Sequence, residues 1–277
     1  MSLNNQIGFL RMNHINAFWC LASNFGDAIN PIIIEAIFKK PVAWTEKVEG
    51  VKHLILCGSI INHSDSNSIV IGAGCAKRTD TVDMLANILA VRGKITEDII
   101  QKRGRKNILA YGDPVLLLPR ILNIQKPEKK HKIGILPHYI DQTVFYDLYY
   151  DRFNKEDGFF KVINTLEPNP IKVIEDVLSC EKLIASSLHG IILGLAYDIP
   201  TQWMRITDRI IGGTLKFHDF YSSIDEYDIK EPRNITDIYP MTDDEIYKHI
   251  GETRYTDKIT TIQNNLLRVF DTLKETM

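Results

Sequence analysis

Long apolar runs are missing from this chain. No window holds the ~18 apolar residues that a transmembrane helix needs, and the start lacks a basic segment followed by an apolar core. Neither a spanning nor a secreted protein is expected, and the expected location is cytoplasmic. Net charge is nearly absent as well: 33 Lys and Arg stand against 35 Asp and Glu, a formal charge of −2. No global positive field exists to collect nucleic acid, so any anion site must be local. Cysteine is sparse. Cys20, Cys57, Cys75 and Cys180 form no Cys-x-x-Cys pair, which argues against zinc or dithiol chemistry and leaves them as reduced core thiols. The run Ile71-Gly72-Ala73-Gly74-Cys75 lacks the third glycine of a dinucleotide fingerprint, so it reads as a tight turn after a strand rather than a nicotinamide site. Internal repeats and low-complexity segments are also missing.

What is present is the balance of a globular chain: 277 residues, 44% apolar and 25% charged. That length exceeds the ~250 residues at which one core stops growing, so two lobes are expected. Short apolar runs alternate with Gly-containing turns and helical stretches, the pattern of parallel strands joined by crossover helices. Strands are expected at 15–19, 53–57, 68–71, 88–91 and 108–111, then at 132–136, 160–164 and 182–185. The charged, proline-broken stretch Gln125 to Lys130 separates the groups, giving an α/β chain with lobes at 1–124 and 125–277. Near the end, Thr242 and Glu245 have capping-box spacing, and Ile259, Ile262, Leu266, Phe270 and Leu273 line one face of a long helix.

The chemistry-bearing residues gather after the expected strands, where α/β sheets place ligands. Ser186-Ser187-Leu188-His189-Gly190 opens an amphipathic helix whose unpaired amides suit an anion, with two hydroxyls and an imidazole beside them. The plainer alternative is a serine cap and a core histidine. Asn24-Phe25-Gly26-Asp27 precedes an apolar helix, where Asp27 serves either as a base toward a hydroxyl or as an N-cap. Arg92 leaves the end of an apolar strand on a rigid base, suited to a bidentate grip on carboxylate or phosphate. Asp113 caps a turn or helix, and His138, after Leu136-Pro137, is an acid, a base or neither. Trp203 to Arg209 and Gly212 to Ser223 read as loop carrying cations and aromatics, either a ligand-closing loop or plain surface.

Taken in order, Asn24-Phe25-Gly26-Asp27, Gly58-Ser59-Ile60, Gly72-Ala73-Gly74, Val91-Arg92-Gly93, Gly112-Asp113-Pro114, Pro137-His138, Ser186-Ser187-Leu188-His189-Gly190 and Lys216-Phe217-His218-Asp219 resemble the polysaccharide pyruvyl transferase family, most closely its short exopolysaccharide-type members. The resemblance implies two Rossmann-like lobes in a GT-B-like arrangement, with phosphoenolpyruvate as donor, a free or lipid-linked saccharide as acceptor, and no metal or cofactor. A lipid-linked acceptor would bring peripheral membrane contact. Under that reading Ser186, Ser187, Arg92, Lys216 and Asn24 hold the substrates, with Arg205 and Arg209 in reserve. His189 or His138 supplies a proton, and Asp27 removes one. The departure is Gly93, which stands where many relatives carry an aspartate after the arginine. A nucleotide-sugar glycosyltransferase of the same architecture and a noncatalytic protein of a polysaccharide-assembly complex are the alternatives.

Overall fold

The computed structural model describes residues 14–276 apart from Ser23, Lys47, Arg103, Arg105, Lys106, Lys230 and Thr253. The opening segment searched for a targeting signal lies outside the described residues. Two parallel sheets organise the chain. The first contains β1 (Ile15–Phe18), β2 (Val42–Trp44), β3 (His53–Ile55), β4 (Ser68–Ile71), β5 (Asn87–Val91) and β6 (Ala110–Tyr111), in the order β2-β1-β3-β4-β5-β6. The second contains β7 (His131–Leu136), β8 (Phe160–Val162), β9 (Cys180–Ala185), β10 (Thr201–Arg205) and β11 (Arg233–Asn234), in the order β11-β10-β9-β7-β8. Every pairing is parallel, so each connection crosses over a sheet face. The architecture is mixed α/β and Rossmann-like in kind.

Six helices matter below: α1 (Phe25–Phe38), α2 (Lys94–Gln101), α3 (Pro170–Leu178), α4 (Leu188–Ala196), α5 (Leu215–Ser223) and α6 (Thr256–Thr276). In α1 the isoleucines 29, 33 and 34 are fully buried, each contributing roughly 1.5–3 kcal/mol of burial. One apolar cluster runs from these through Val115, Leu116 and Leu117 to Ile191 and Ile192 of α4, so the core is continuous between the sheets. The capping box of Thr242 and Glu245 opens the helix Asp243–His249. The apolar face of α6 is buried, and the helix reaches back from the second half onto the first: Gln263 Nε2 donates to Leu116 O at 2.8 Å. No helix among the described residues is long and apolar enough to cross a membrane.

Two departures from the sequence expectation bear on the site. Trp203 to Arg205 is strand β10, not loop, and residues 215–223 form helix α5. Phe217, Phe220, Tyr221 and Ile224, spaced i, i+3, i+4 and i+7, are the buried face of that helix and its cap. Strands β2 and β11 were not anticipated either, being edge strands of three and two residues with little pattern to read.

Candidate active site

The turns following β1, β3, β4, β7, β8 and β9 converge on one cavity of about 280 Å3. That is just under the ~300–1,000 Å3 of small-molecule pockets in general. Asn24, Asp27 and Ser59 line it from the first half, and His138, Thr165, Ser187, His189 and Lys216 from the second. The N-termini of α1 and α4 both open here, and they are dressed differently. Asn24 caps α1, accepting from Asp27 N at 3.2 Å, and Asp27 adds a negative charge in its first turn. Helix α4 begins after Ser187 with no side-chain cap and no acidic residue in its first turn. Its partial positive charge is therefore left for a ligand.

Asp27 is not the cap of its own helix. Asn24 Nδ2 donates to Asp27 Oδ2 at 2.5 Å, so Asn24, expected on the substrate, spends both ends of its amide on Asp27. Burial pushes the Asp27 carboxyl up from its usual range, and Asn24, His189 and Lys216 oppose that rise. A carboxylate raised toward neutrality is a better base.

His189 is clamped by the first half. A Cβ on Gly26 would lie 1.9 Å from His189 Nδ1, so only glycine at the start of α1 admits the imidazole. On the other side, His189 Nε2 faces Asp113 Oδ2 at 3.5 Å, and both atoms are buried without a hydrogen-bond partner. A proton on Nε2 and a small ring shift would join them. Burial works to raise the Asp113 carboxyl, yet His189, the Val115 amide and the Arg92 charge together outweigh it, and the group sits below its usual range. Its other oxygen does the capping the sequence suggested, accepting from Val115 N at 3.0 Å. Asp113 thus gives the His189 imidazole a carboxylate neighbour at Nε2, while Nδ1 packs against Gly26.

Lys216, in the first turn of α5, brings its Nζ within 3.3 Å of His138 Nε2. Burial, followed by the Arg92 charge, lowers the Lys216 ammonium from 10.5 to about 8. His138 accepts at Nδ1 from Ile140 N at 3.2 Å, and burial with Lys216 and His189 nearby pushes it down to about 3. It is a neutral imidazole near pH 7, its one ring proton left on Nε2, and so a far weaker acid than the imidazolium that the expected proton donor requires. Asp141 and Asp27 act against that fall without cancelling it, and among the described residues the Lys216 ammonium forms no ion pair, which leaves it for an anionic ligand.

Other expected contacts fall elsewhere. Arg92 is fully buried: Nε donates to Asp219 Oδ2 at 2.8 Å, Nη1 to Ser59 Oγ at 2.7 Å and Nη2 to Cys75 O at 2.8 Å. It stands behind the cavity wall and does not line it. Its partner Asp219, one turn beyond Lys216 on α5, also accepts from Thr96 N and Thr96 Oγ1, each at 2.7 Å. The Gly93 departure now has a cause, since a Cβ there would fall 1.7 Å from Asp219 O. The carboxylate beside the arginine is delivered by α5 instead of by the next residue. Ser186 is buried too, accepting from His138 N and donating to Asp141 Oδ2, so Ser187 alone of the pair lines the cavity. Arg205 is on the surface with Glu231, and Arg209 is exposed. Three cysteines are buried, but Cys20 is part-exposed and lines the cavity, which corrects its reading as a core thiol. No cluster of three or more His, Cys, Asp or Glu among the described residues is arranged to hold a metal ion. Sequence reading missed the His189 partnership of Asp113 and any role for Ser59, because neither shows a local pattern.

Comparison with known proteins agrees with the motifs. The family described as polysaccharide pyruvyl transferase matches residues 51–206, more than half of the chain. An uncharacterised protein of Acanthamoeba polyphaga mimivirus is 28% identical over 205 residues, covering 72% of this chain and 70% of the relative. No solved structure matches significantly.

Proposed function

Because this chain belongs to the polysaccharide pyruvyl transferase family, whose members act on saccharide acceptors, we propose that it moves the enolpyruvyl group of phosphoenolpyruvate onto a sugar to form a pyruvate ketal. The observation that carries the reading is the convergence of Lys216, the uncapped start of α4 with His189, and Asp27 on one cavity between two parallel sheets. A GT-B-like division into lobes at 1–124 and 125–277 goes with it, as does a cytoplasmic location with peripheral contact where the acceptor is lipid-linked. The two sheets separate donor-holding from acceptor-activating groups, although α6 ties the far end of the chain to the first half.

In this reading Lys216 and the α4 amides hold the donor anion, and Ser187 adds a hydroxyl. His189, supported through Asp113, protonates the methylene carbon. C2 gains cationic character, a sugar hydroxyl adds as Asp27 removes its proton, the C2–O bond to phosphate breaks, and a second hydroxyl of the same sugar closes the ketal. One hydroxyl proton is balanced by the new methyl C–H and the other leaves with phosphate. The chemistry needs no cofactor.

A thermal-shift and calorimetry panel comparing phosphoenolpyruvate with UDP-, GDP- and CMP-sugars tests the donor. Phosphate release with free and lipid-linked oligosaccharides then tests transfer. Stabilisation by phosphoenolpyruvate and acceptor-dependent phosphate release are expected. Stabilisation only by a nucleotide-sugar would replace the reading with glycosyl transfer, and binding without turnover on any acceptor would leave a noncatalytic protein.

A further inference from the structure

We infer that Ser59 is a ligand-binding residue, its hydroxyl aimed at the donor anion by the buried Arg92–Asp219 pair behind it. This deepens the pyruvyl-transfer reading and rests on it.

The argument is a count of protons and lone pairs. Asp219 accepts three hydrogen bonds, from Thr96 N, Thr96 Oγ1 and Arg92 Nε. Arg92, fixed by that carboxylate and by Cys75 O, sends Nη1 to Ser59 Oγ at 2.7 Å. A guanidinium has only donors, so Ser59 must accept from it, and the serine's own proton turns elsewhere. Among the described residues that proton has no acceptor, and Ser59 lines the cavity. The hydroxyl therefore presents a donor to whatever occupies the space. A charged donor on its lone pair polarises the O–H bond, which strengthens it toward an oxyanion. The Lys216 side chain lines the same cavity, so the hydroxyl and an ammonium both face the space a ligand would fill.

Arg92 is then a positioning residue. Gly74 and Gly93 make room for it and its partner, since added Cβ atoms would lie 2.3 Å from Arg92 Cζ and 1.7 Å from Asp219 O. The clamp holds the Ser59 wall against α5, the helix that carries Lys216, through the three hydrogen bonds that Asp219 accepts from the first half.

Calorimetric titration of the full chain with phosphoenolpyruvate at pH 7, for the wild type, Ser59→Ala and Ser59→Thr, tests the assignment. The alanine variant is expected to bind about 10- to 100-fold more weakly, the range for a hydrogen bond to a charged group, while threonine keeps the hydroxyl and the affinity. Wild-type affinity in Ser59→Ala would overturn the Ser59 assignment and leave the parent reading standing. Equal weakening in both variants, with a lowered melting temperature of the free protein, would overturn it in favour of a packing role. A wild type that does not bind phosphoenolpyruvate would overturn the parent reading, and this one with it.

Discussion

Each polar group in the cavity owes its state to a neighbour that a linear reading does not supply. Lys216 is the clearest case. Its ammonium falls from 10.5 to about 8 on burial, so between those values the unfolded chain holds a proton that the folded one has lost. Stability of the free protein is expected to rise with pH across that window, because the unfolded state there binds more protons. Binding of a donor anion should weaken over the same window, by up to about tenfold per pH unit above 8. Chemical denaturation and calorimetry from pH 7 to 10 read the two opposite slopes. His138 adds a second window. Its folded value near 3 against 6.5 means that the unfolded chain takes up the proton first, so stability is lost as pH falls below 6.5. For the acid, His189→Ala is expected to lower kcat about 10²- to 10⁴-fold and also to cost some stability, since it leaves the buried Asp113 carboxylate without its neighbour, and Asp113→Asn should lower kcat by removing the carboxylate that orients the His189 ring. Stopped-point assays of phosphate release check both, and wild-type kcat in either folded variant would remove its role.

At the scale of elements, the strands and the turns that follow them were legible because apolar β-branched runs end in Gly or Asp. The expected strand at 68–71 is β4, and the one at 132–136 lies within β7. Helix α5 was misread although Phe217, Phe220, Tyr221 and Ile224 carried its period; the glycines 212 and 213 and the interspersed cations masked it. The reading of Arg92 as a ligand contact failed for a different reason. Its partner Asp219 lies 127 residues downstream, and nothing local reports that a cation will be buried. Gly93 shows what the packing of α2 against α5 demands. Gly93→Asp is expected to destabilise by about 1–3 kcal/mol or more, because its Cβ meets the backbone of α5. Urea denaturation measures this, and an undisturbed midpoint would show that the two helices part easily.

The molecule as a whole is two parallel sheets whose halves share one apolar core, with a set of polar contacts at the cavity side of the junction. Arg92 with Asp219, His189 with Asp113 and Gly26, and Phe25 N donating to Thr165 O at 2.9 Å all cross it. Removing one member of the buried Arg92–Asp219 pair leaves an uncompensated charge, so Arg92→Ala is expected to cost about 3–5 kcal/mol of stability as well as activity. That is more than the loss of a surface ligand contact, and a full-stability Arg92→Ala protein would contradict the clamp. The cavity exists only where the halves meet, which is why its two sets of groups were visible as motifs but their pairing was not.

The most direct measurement of the central claim is proton and deuterium NMR of the product formed from phosphoenolpyruvate and acceptor in deuterated water, for the wild type and His189→Ala. The account predicts a pyruvate ketal whose methyl group carries one deuterium taken from solvent through the protein acid, with formation lost in the variant. A product that keeps its methylene carbon, or one formed equally fast without His189, would contradict it.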